Sequence, residues 1–572
     1  IIRMIQPEAA NWPFLDKKML LWATEDRIKL IEKWAEYTYF LERRLENNTI
    51  PTNTEETKKG IQYAYIDSKY LEYYVTTDGV VITKYSGKYA YARIPNELEG
   101  KPVIAIGEGA FSENRVLREI VIPASINRIG QNAFLNCYGL IKVVISNGNT
   151  DIGNRAFGIK RSKEINGIKY TFDKGIGAEI YGPSASKVSI YAGQSGNKFI
   201  STDWDGKKVE EVVPIDDVYY IDTVAQLAWV SRQVSQGETF EGKTVYISGI
   251  FNFQKNQWTP IGSYSNDFCG KIVIKFCEIN QFYRHLSSGY YYAELRNGLF
   301  GKVKTPYVSV ENLSMNDVDV WTSGYQSVHV GALFGYLEVE KNGKINFENC
   351  KFSGSVYSNK GYDGGVIGYA IFKKNAMCEF KKMYLDLQMG GTASYLTALR
   401  TGGIISYLNN TGNVRIEECQ ILGDFKALAG ANTVNQIWPG IVGGGISCLE
   451  NNEGGGIIID KFSVDITASA TCGSGMYKQT SPVIGRIEKN MGKVFVSNSQ
   501  NIINCVEGDF NGFVGYIAKN QNVVNIENSF CVNTGRNVNN YTSWYNTNSE
   551  NWKNSFLLKD NFSLRYSNDA SQ

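Results

Sequence analysis

One short block of the sequence occurs three times at a fixed interval, and this repetition limits the fold more than any other feature. Ile106–Phe111, which reads IGEGAF, returns at positions 129 and 152 as IGQNAF and IGNRAF, so the interval is 23 residues both times. The segments Leu117–Pro123 and Leu140–Ser146 between these blocks share one apolar pattern. A period of roughly 20–29 residues is typical of leucine-rich repeats, in which each unit gives one strand and a return segment. We therefore predict a solenoid with one Ala-Phe pair in each core layer.

The repeated block resembles the BspA-like leucine-rich repeats of surface proteins from gut and oral bacteria. Asp78–Ile82 and the pair Ile94-Pro95 are similar to that family's entry pattern, and Ile180–Gly182 is similar to its exit pattern. The resemblance covers roughly a fifth of the chain. It implies adhesion or another kind of binding rather than catalysis.

A second and longer repeat follows the first. Its motif is Gly-apolar-apolar-Gly, first seen as Gly298–Gly301. Close or looser copies lie at 331–335, 365–368, 403–406, 445–447, 482–485 and 512–515. Segments with alternating apolar and polar residues follow several copies, as at 345–350, 414–419 and 524–529. Such alternation is typical of half-buried strands, so we predict a right-handed parallel β-helix from residue 240 to residue 560.

The segment that precedes this second repeat carries a resemblance of its own. A helix is predicted from Thr223 to Val234, then a strand over Gly242–Ile247, then the turn Trp258–Gly262. This order is similar to the entry of bacterial β-helix domains that carry the GLUG motif. The predicted fold class is therefore mainly β, with leucine-rich repeats followed by a β-helix.

Residues 1–58 have a different pattern from the rest of the chain. From Thr24 to Glu46 the apolar residues are spaced three and four apart, which predicts a helix that starts at Thr24. This segment either covers the end of the solenoid or docks the protein to a larger assembly. The predicted domains are residues 1–58, residues 59–205 with the leucine-rich repeats, and residues 206–572 with the β-helix.

Charge and hydropathy argue against a nucleic-acid partner and against a membrane span. The 59 Lys and Arg residues nearly balance the 57 Asp and Glu residues, so no nucleic-acid partner is predicted. No apolar run reaches the roughly 18 residues of a membrane helix, so no membrane span is predicted. Ile1–Pro7 shows no secretory signal. Either a signal was removed before position 1, or the protein does not use the secretion pathway.

Three cysteines fall at similar places in different repeats, namely Cys350, Cys419 and Cys505. Equivalent positions in stacked repeats usually form one core column. We therefore favour a shared column of small apolar side chains over a disulfide framework.

A column of tyrosines is the candidate binding site. Tyr336, Tyr369 and Tyr407 directly follow three copies of the second motif, and an apolar residue follows each of them. If the apolar residues point inward, alternation turns the tyrosines outward. Three stacked and exposed rings could bind sugar rings. The alternative is that loops or a neighbouring subunit cover them, and we favour this alternative.

The sequence offers little for catalysis. Asp317 and Asp319 are close enough to suggest a glycosidase pair, and alternation would put both on one face, but their setting is that of an ordinary strand. The two histidines, His285 and His329, lie in no nucleophile or zinc motif. We expect no cofactor and no metal. A cleavage site built across stacked turns would leave no linear motif.

These patterns predict a non-enzymatic protein for recognition or adhesion, located on a virion or on a bacterial cell surface. The first setting is a receptor-binding fibre or spike subunit of a bacteriophage, and the alternative is an adhesin of gut bacteria. A β-helix polysaccharide depolymerase and a purely structural spacer are further alternatives. The expected partners are a glycan or protein receptor and a larger assembly joined through residues 1–58, with a homotrimer as one arrangement.

Overall fold

The computed structural model describes residues 63–165, 168–287, 295–323, 328–393, 399–429, 440–453, 455–471, 478–507, 509–510, 513–520, 524–533, 556–559 and 562–565. The chain divides into two compact units, Ile1–Ser201 and Thr202–Gln572. The helix predicted within residues 1–58 lies outside the described residues.

The first unit contains fourteen described strands, one described α-helix and a 3-10 turn at Ser68–Tyr70. The strands are β1 (Ala64–Tyr65), β2 (Leu71–Val75), β3 (Val80–Tyr85), β4 (Tyr91–Arg93), β5 (Glu97–Leu98), β6 (Lys101–Ile106), β7 (Glu119–Ile122), β8 (Arg128–Ile129), β9 (Lys142–Ile145), β10 (Asp151–Ile152), β11 (Gly158–Ile165), β12 (Ile168–Gly175), β13 (Glu179–Gly182) and β14 (Lys198–Ser201). The helix is α1 (Lys187–Ser195).

Two mainly parallel sheets enclose the core of this unit. One has the order β1-β4-β7-β9-β13-β14, and the other has the order β10-β8-β6-β3-β2. The repeated phenylalanines stack between them, with ring centroids 4.7 Å apart for Phe111 and Phe134 and 4.9 Å apart for Phe134 and Phe157. The predicted solenoid is therefore confirmed. A hairpin of β11 and β12, which the repeat pattern does not indicate, extends from the third layer.

The glycine of each repeated block is required by the stacking of the turns. A Cβ added at Gly130 would lie 2.6 Å from the backbone carbonyl carbon of Gly107, and one at Gly153 would lie 2.5 Å from the Gln131 backbone nitrogen. Real Cβ contacts are longer than this, so only glycine lets consecutive turns approach this closely.

Replacing the central phenylalanine tests the packing of this solenoid. Phe134→Ala should lower the free energy of unfolding of the first unit by about 3–5 kcal/mol, because a large buried ring leaves a cavity that its neighbours fill only in part. Hydrogen exchange across residues 78–200, followed by mass spectrometry, reports this loss. Ile190→Ala, which trims a 59% exposed side chain of α1, is the control. Equal effects of the two variants would contradict the phenylalanine stack.

The second unit contains one described helix, and the rest of its described regular structure is β. The helix is α2 (Val224–Ser235), and the Thr223 hydroxyl accepts a hydrogen bond from the Gln226 backbone nitrogen at its start, which confirms the predicted helix. One strand, β15 (Val218–Ile221), precedes this helix. The strands after it are β16 (Thr244–Asn252), β17 (Lys271–Asn280), β18 (Tyr283–Ser287), β19 (Leu295–Asn297), β20 (Phe300–Ser323), β21 (Val328–Gly331), β22 (Phe334–Glu348), β23 (Lys351–Ser358), β24 (Gly361–Gly364), β25 (Ile367–Phe372), β26 (Met377–Lys381), β27 (Tyr384–Ala393), β28 (Leu399–Gly402) and β29 (Ile405–Asn410).

The remaining strands repeat the same order. They are β30 (Asn413–Glu417), β31 (Gln420–Ala429), β32 (Gly440–Gly443), β33 (Ile446–Asn452), β34 (Gly456–Asp460), β35 (Ser463–Thr471), β36 (Lys478–Ser481), β37 (Ile484–Asn490), β38 (Lys493–Ser497), β39 (Gln500–Glu507), β40 (Asp509–Phe510), β41 (Val514–Asn520), β42 (Val524–Glu527), β43 (Phe530–Asn533), β44 (Phe556–Lys559) and β45 (Phe562–Arg565).

These strands form a parallel β-helix whose coils have four faces. Face A is the seven-stranded sheet β19-β21-β24-β28-β32-β36-β40, and a 24-stranded sheet supplies the other three. Face B contains the start of β20 and β22, then β25, β29, β33, β37 and β41. Face C contains the middle of β20 and the end of β22, then β26, β30, β34, β38 and β42. Face D contains β18 and the end of β20, then β23, β27, β31, β35, β39 and β43. The solenoid predicted from the second repeat is therefore present.

A left-handed residue turns each coil from face C to face D. The backbone angle φ of these residues lies between 47° and 55° in seven coils: Asn312, Asn349, Lys382, Glu418, Lys461, Asn498 and Asn528. Asparagine adopts this conformation more readily than most residues. Two of the asparagines are linked between coils, where the Asn349 side-chain amide donates to Asn312 Oδ1 at 2.5 Å.

The three cysteines are buried, as predicted, but the prediction that they share one core column is wrong for Cys505. Cys350 and Cys419 follow left-handed corner residues and are buried, and burial raises the pKa of each thiol to about 12. Cys505 is also buried, but it pairs in register with Ala468 inside face D. The same residue type therefore serves two core columns. The eight cysteines whose side chains the structure describes are all free thiols.

One carboxyl group points into the core of the β-helix. Asp363 lies on face A in register with Val330 and Thr401, and its side chain is fully buried. Burial raises the pKa of Asp363 to about 7, against a smaller opposite effect of the nearby Ser358. The folded protein thus favours the neutral acid, and ionisation of Asp363 destabilises the β-helix.

This carboxyl group predicts a pH dependence of stability. Because its pKa is higher in the folded state than in the unfolded state, stability should fall as the pH rises from 4 to about 7, by up to about 4 kcal/mol. Asp363→Asn should remove this slope from the denaturant midpoint of the second unit. The control is Asp386→Asn, which removes an exposed carboxylate of the same coil and should keep the wild-type slope. A slope that survives in Asp363→Asn would refute the assignment.

Candidate functional site

The predicted tyrosine column is present on face B. Backbone pairing puts Tyr336, Tyr369 and Tyr407 in one register across three coils. Their ring centroids are 5.5 Å apart for Tyr336 and Tyr369, and 4.7 Å apart for Tyr369 and Tyr407, with interplanar angles of 10° and 20°. The sequence prediction of three stacked rings is therefore confirmed.

The favoured expectation that these rings are covered is confirmed for two of them, although side chains of the same β-helix cover them instead of loops or a neighbouring subunit. Tyr336 is 9% exposed and Tyr407 is 8% exposed. The reason is that residues on the outward side of face A pack directly on the outward side of face B. His329 lies 4.7 Å from the Tyr369 ring, and Tyr362 lies 4.9 Å from the Tyr407 ring. Neighbouring side chains of the same β-helix therefore cover the column.

Two arginines flank the column. The Arg296 guanidinium lies 4.5 Å from the Tyr336 ring centre, and the Arg400 guanidinium lies 5.0 Å from the Tyr407 ring centre. Both distances fit cation–π interactions. Burial and the charge of Arg296 lower the pKa of His329 to about 3, so this ring is a neutral aromatic partner. The arrangement stabilises the stack of coils, and ligand binding by the three tyrosines stays a prediction.

Removing the central ring tests this stabilising role. Tyr369→Ala should lower the free energy of unfolding of the β-helix by about 2–4 kcal/mol, because the stacking with both tyrosines and with His329 is lost. Tyr369→Phe keeps the ring and should cost much less. Denaturant unfolding followed by tyrosine fluorescence measures both variants. If they lose the same stability, the ring stack does not hold the coils.

A second set of aromatic residues lies on face D and is open to solvent. His285, Trp321 and Tyr357 occupy one register in β18, β20 and β23, and we call them the outer aromatic row. The Trp321 side chain is 37% exposed, and its ring centroid lies 5.8 Å from that of His285. Tyr283 stacks on His285 with centroids 4.2 Å apart. The row therefore offers flat apolar surface beside polar groups.

Polar side chains lie two residues before Trp321 on β20 and two residues before Tyr357 on β23, and the same register continues into the next two coils. This polar column contains Asp319, Ser355, Gln388 and Asp424 in successive coils. Gln388 and Asp424 are exposed. Carboxylates and amides next to an aromatic face can bind sugar hydroxyls while the ring stacks on the apolar face of the sugar.

The sequence contained a signal for this row that was missed. Val320-Trp321 and Val356-Tyr357 are the same pair of an inward valine and an outward aromatic residue, 36 positions apart. That interval lies within the range of the second repeat. Comparing strands of face D, as well as the glycine motif, would have revealed the row.

The predicted carboxylate pair is engaged by separate partners. Asp317 has a left-handed backbone and forms an ion pair with Lys255 at 3.2 Å. Asp319 Oδ1 lies 2.8 Å from His285 Nε2 and 3.5 Å from the Ser355 hydroxyl. Both side chains lie outside the core, as alternation predicts. The serine contacts the aspartate rather than the histidine, so the three residues do not form a nucleophilic triad.

The residues that the structure describes contain neither a candidate metal site nor a candidate membrane span. Within those ranges, there is no group of three or more metal-ligating side chains. No helix among the described residues is long and apolar enough to cross a membrane.

Comparison with known proteins addresses the first unit. Residues 85–174 match the family model of the BspA type leucine rich repeat region, in six copies. Such repeats indicate a repeat protein of the surface or adhesion type and are commonly protein-interaction modules. A crystal structure of the T. pallidum leucine rich repeat protein TpLRR aligns with 46% of this chain and 88% of its own, at 13% identity and a TM-score of 0.15. No curated protein shows significant sequence similarity to the chain.

Proposed function

We propose that this protein recognises glycans on a cell surface through the outer aromatic row of its β-helix. The observation that carries the proposal is the exposed indole of Trp321 between His285 and Tyr357, with the polar column beside it. Exposed aromatic residues that lie beside polar groups are typical centres of binding surfaces. The leucine-rich repeats of the first unit support a surface role, because they are commonly interaction modules.

The proposed setting is a receptor-binding fibre or spike subunit of a bacteriophage, and the alternative is an adhesin of gut bacteria. Mass spectrometry of purified virus particles and of the bacterial envelope from the same culture separates these settings. A fixed ratio to the capsid protein would support the virion setting. Enrichment in the envelope would overturn that setting and support the adhesin.

The proposed activity is binding without cleavage. Its support is that Asp317 and Asp319, the carboxylate pair nearest to the row, form contacts with Lys255 and His285. A polysaccharide depolymerase is the alternative. Release of new reducing ends from a bound polysaccharide would favour the depolymerase, and binding with no such release would favour a recognition protein.

Trp321 is the residue to replace first. Trp321→Ala should weaken binding to a glycan that the wild-type protein captures from a printed array by about 30-fold, because a central tryptophan commonly contributes 2 kcal/mol or more to an interface. Tyr384→Ala is the matched control, since Tyr384 is 36% exposed on the same face but outside the row. Titration with the captured glycan measures both variants. Equal binding by wild type and Trp321→Ala would exclude the row as the site.

A further inference from the structure

The first unit contains a cavity between its third repeat, the β11–β12 hairpin and α1. Its volume is about 420 Å³, which lies within the range of roughly 300–1,000 Å³ that is typical of small-molecule sites. Gly158 and Gly175, which pair at the open end of the hairpin, line the cavity together with Gln194 and Ser195 at the end of α1. The cavity is therefore large enough for one sugar-sized ligand.

Two side chains that pack against the core form an apolar wall of this cavity. They are Ile152 of β10 and Tyr191 of α1. The Tyr191 hydroxyl accepts a hydrogen bond from the Phe157 backbone nitrogen at 2.9 Å, and the two rings meet edge to face with centroids 6.0 Å apart. The wall is thus held in place before a ligand arrives, which lowers the entropy cost of binding.

The charge of the lining favours an anion. The described residues that line the cavity include two basic side chains, Arg155 and Lys174, and no acidic one. Lys174 lies opposite the buried Ile159 in the hairpin, and opposite residues of antiparallel strands share a face, so the lysine is on the side of the hairpin that faces the core. The C-terminus of α1 adds the equivalent of about half a negative charge, which offsets only part of the two positive charges.

Arg155 also departs from the pattern of the repeat. The same position in the first two blocks holds Gly109 and Asn132, and all three residues have a left-handed backbone with φ between 55° and 64°. Glycine and asparagine adopt this conformation readily, whereas an arginine is strained there, and strained positions cluster at ligand-binding and active sites. The side chain is oriented as well, since Arg155 Nε donates to Asn132 Oδ1 at 3.3 Å. The repeat that lines the cavity is therefore the one that carries a cation at this turn.

We propose that this cavity binds a small anionic ligand, a sugar-sized molecule that carries a carboxylate or a phosphate. The anionic oxygens accept hydrogen bonds from the Arg155 guanidinium, whose planar donors match both groups, and Lys174 adds a second positive charge. Asn154 and Gln194 are exposed lining residues, and their amides can donate to and accept from hydroxyl groups. This site lies in the leucine-rich repeats and does not depend on the outer aromatic row.

Three probes that share one ring test the charge requirement. Galactose is neutral, galacturonate carries a carboxylate at carbon 6, and galactose 6-phosphate carries a phosphate there. Calorimetric titration of the full chain should show about tenfold tighter binding, or more, of one or both anionic probes than of galactose. A preference for the carboxylate would indicate an acidic glycan, and a preference for the phosphate would indicate a phosphorylated ligand. Equal affinity for all three probes, or no binding of any, would overturn the site.

Arg155→Asn is the variant to test first, because it introduces the residue type that the second repeat carries at this position and that suits the left-handed backbone. It should weaken binding of the preferred anionic probe about tenfold without lowering the thermal unfolding midpoint. Lys174→Gln, which changes an exposed side chain, should weaken binding of the same probe. Arg115→Asn is the control, since it removes an exposed positive charge of the first unit outside the cavity and should bind like the wild-type protein.

The variants separate this site from other causes. Equal losses in Arg155→Asn and Arg115→Asn would attribute the binding to the overall charge of the protein and overturn the site. Unchanged binding by both Arg155→Asn and Lys174→Gln would also overturn it. Trp321→Ala should bind the anionic probes like the wild-type protein, so failure of this site is distinguishable from failure of the outer aromatic row.

Discussion

The structure depends on in-register hydrogen bonding between successive coils. A single layer of a solenoid cannot bury its own apolar side chains, so its stability comes from the layers on either side. Inward side chains at the same register position must fit against those of the neighbouring coils, because a mismatch in volume would leave a cavity or an overlap. The stacked rings of Phe111, Phe134 and Phe157 in the first unit show this requirement in its simplest form.

The same requirement explains what the sequence could predict. Repetition of glycine and phenylalanine at an interval of 23 residues indicated the first solenoid, and the glycine motif placed Tyr336, Tyr369 and Tyr407 in one column. Both solenoids were predictable because register converts spatial neighbours into sequence repeats. The reading of Cys505 failed because a cysteine after a corner and a cysteine within a strand look alike in an irregular repeat.

The candidate site was harder to predict than the fold. Alternation along a strand says which side chains leave the core of their own sheet, and it says nothing about a second sheet that packs against the outside. Tyr407 is therefore covered by Tyr362 and Arg400 of face A, whereas Trp321 on face D remains exposed. Whether such an outward ring is covered or exposed depends on the four-faced shape of the coil, which no local sequence pattern encodes.

The tyrosine column has a mechanical consequence. From Arg296 to Arg400, the rings and guanidinium groups link four successive coils on the outside, in addition to the backbone ladders. In the next coil the corresponding positions are Ile441 and Cys448, so the linkage ends there. Under a tensile force along the β-helix, we expect the later coils to separate one at a time, whereas the four linked coils should separate only together. Those four coils include the strands that present Trp321 and Tyr357, so the proposed glycan-binding surface lies on the linked part of the β-helix.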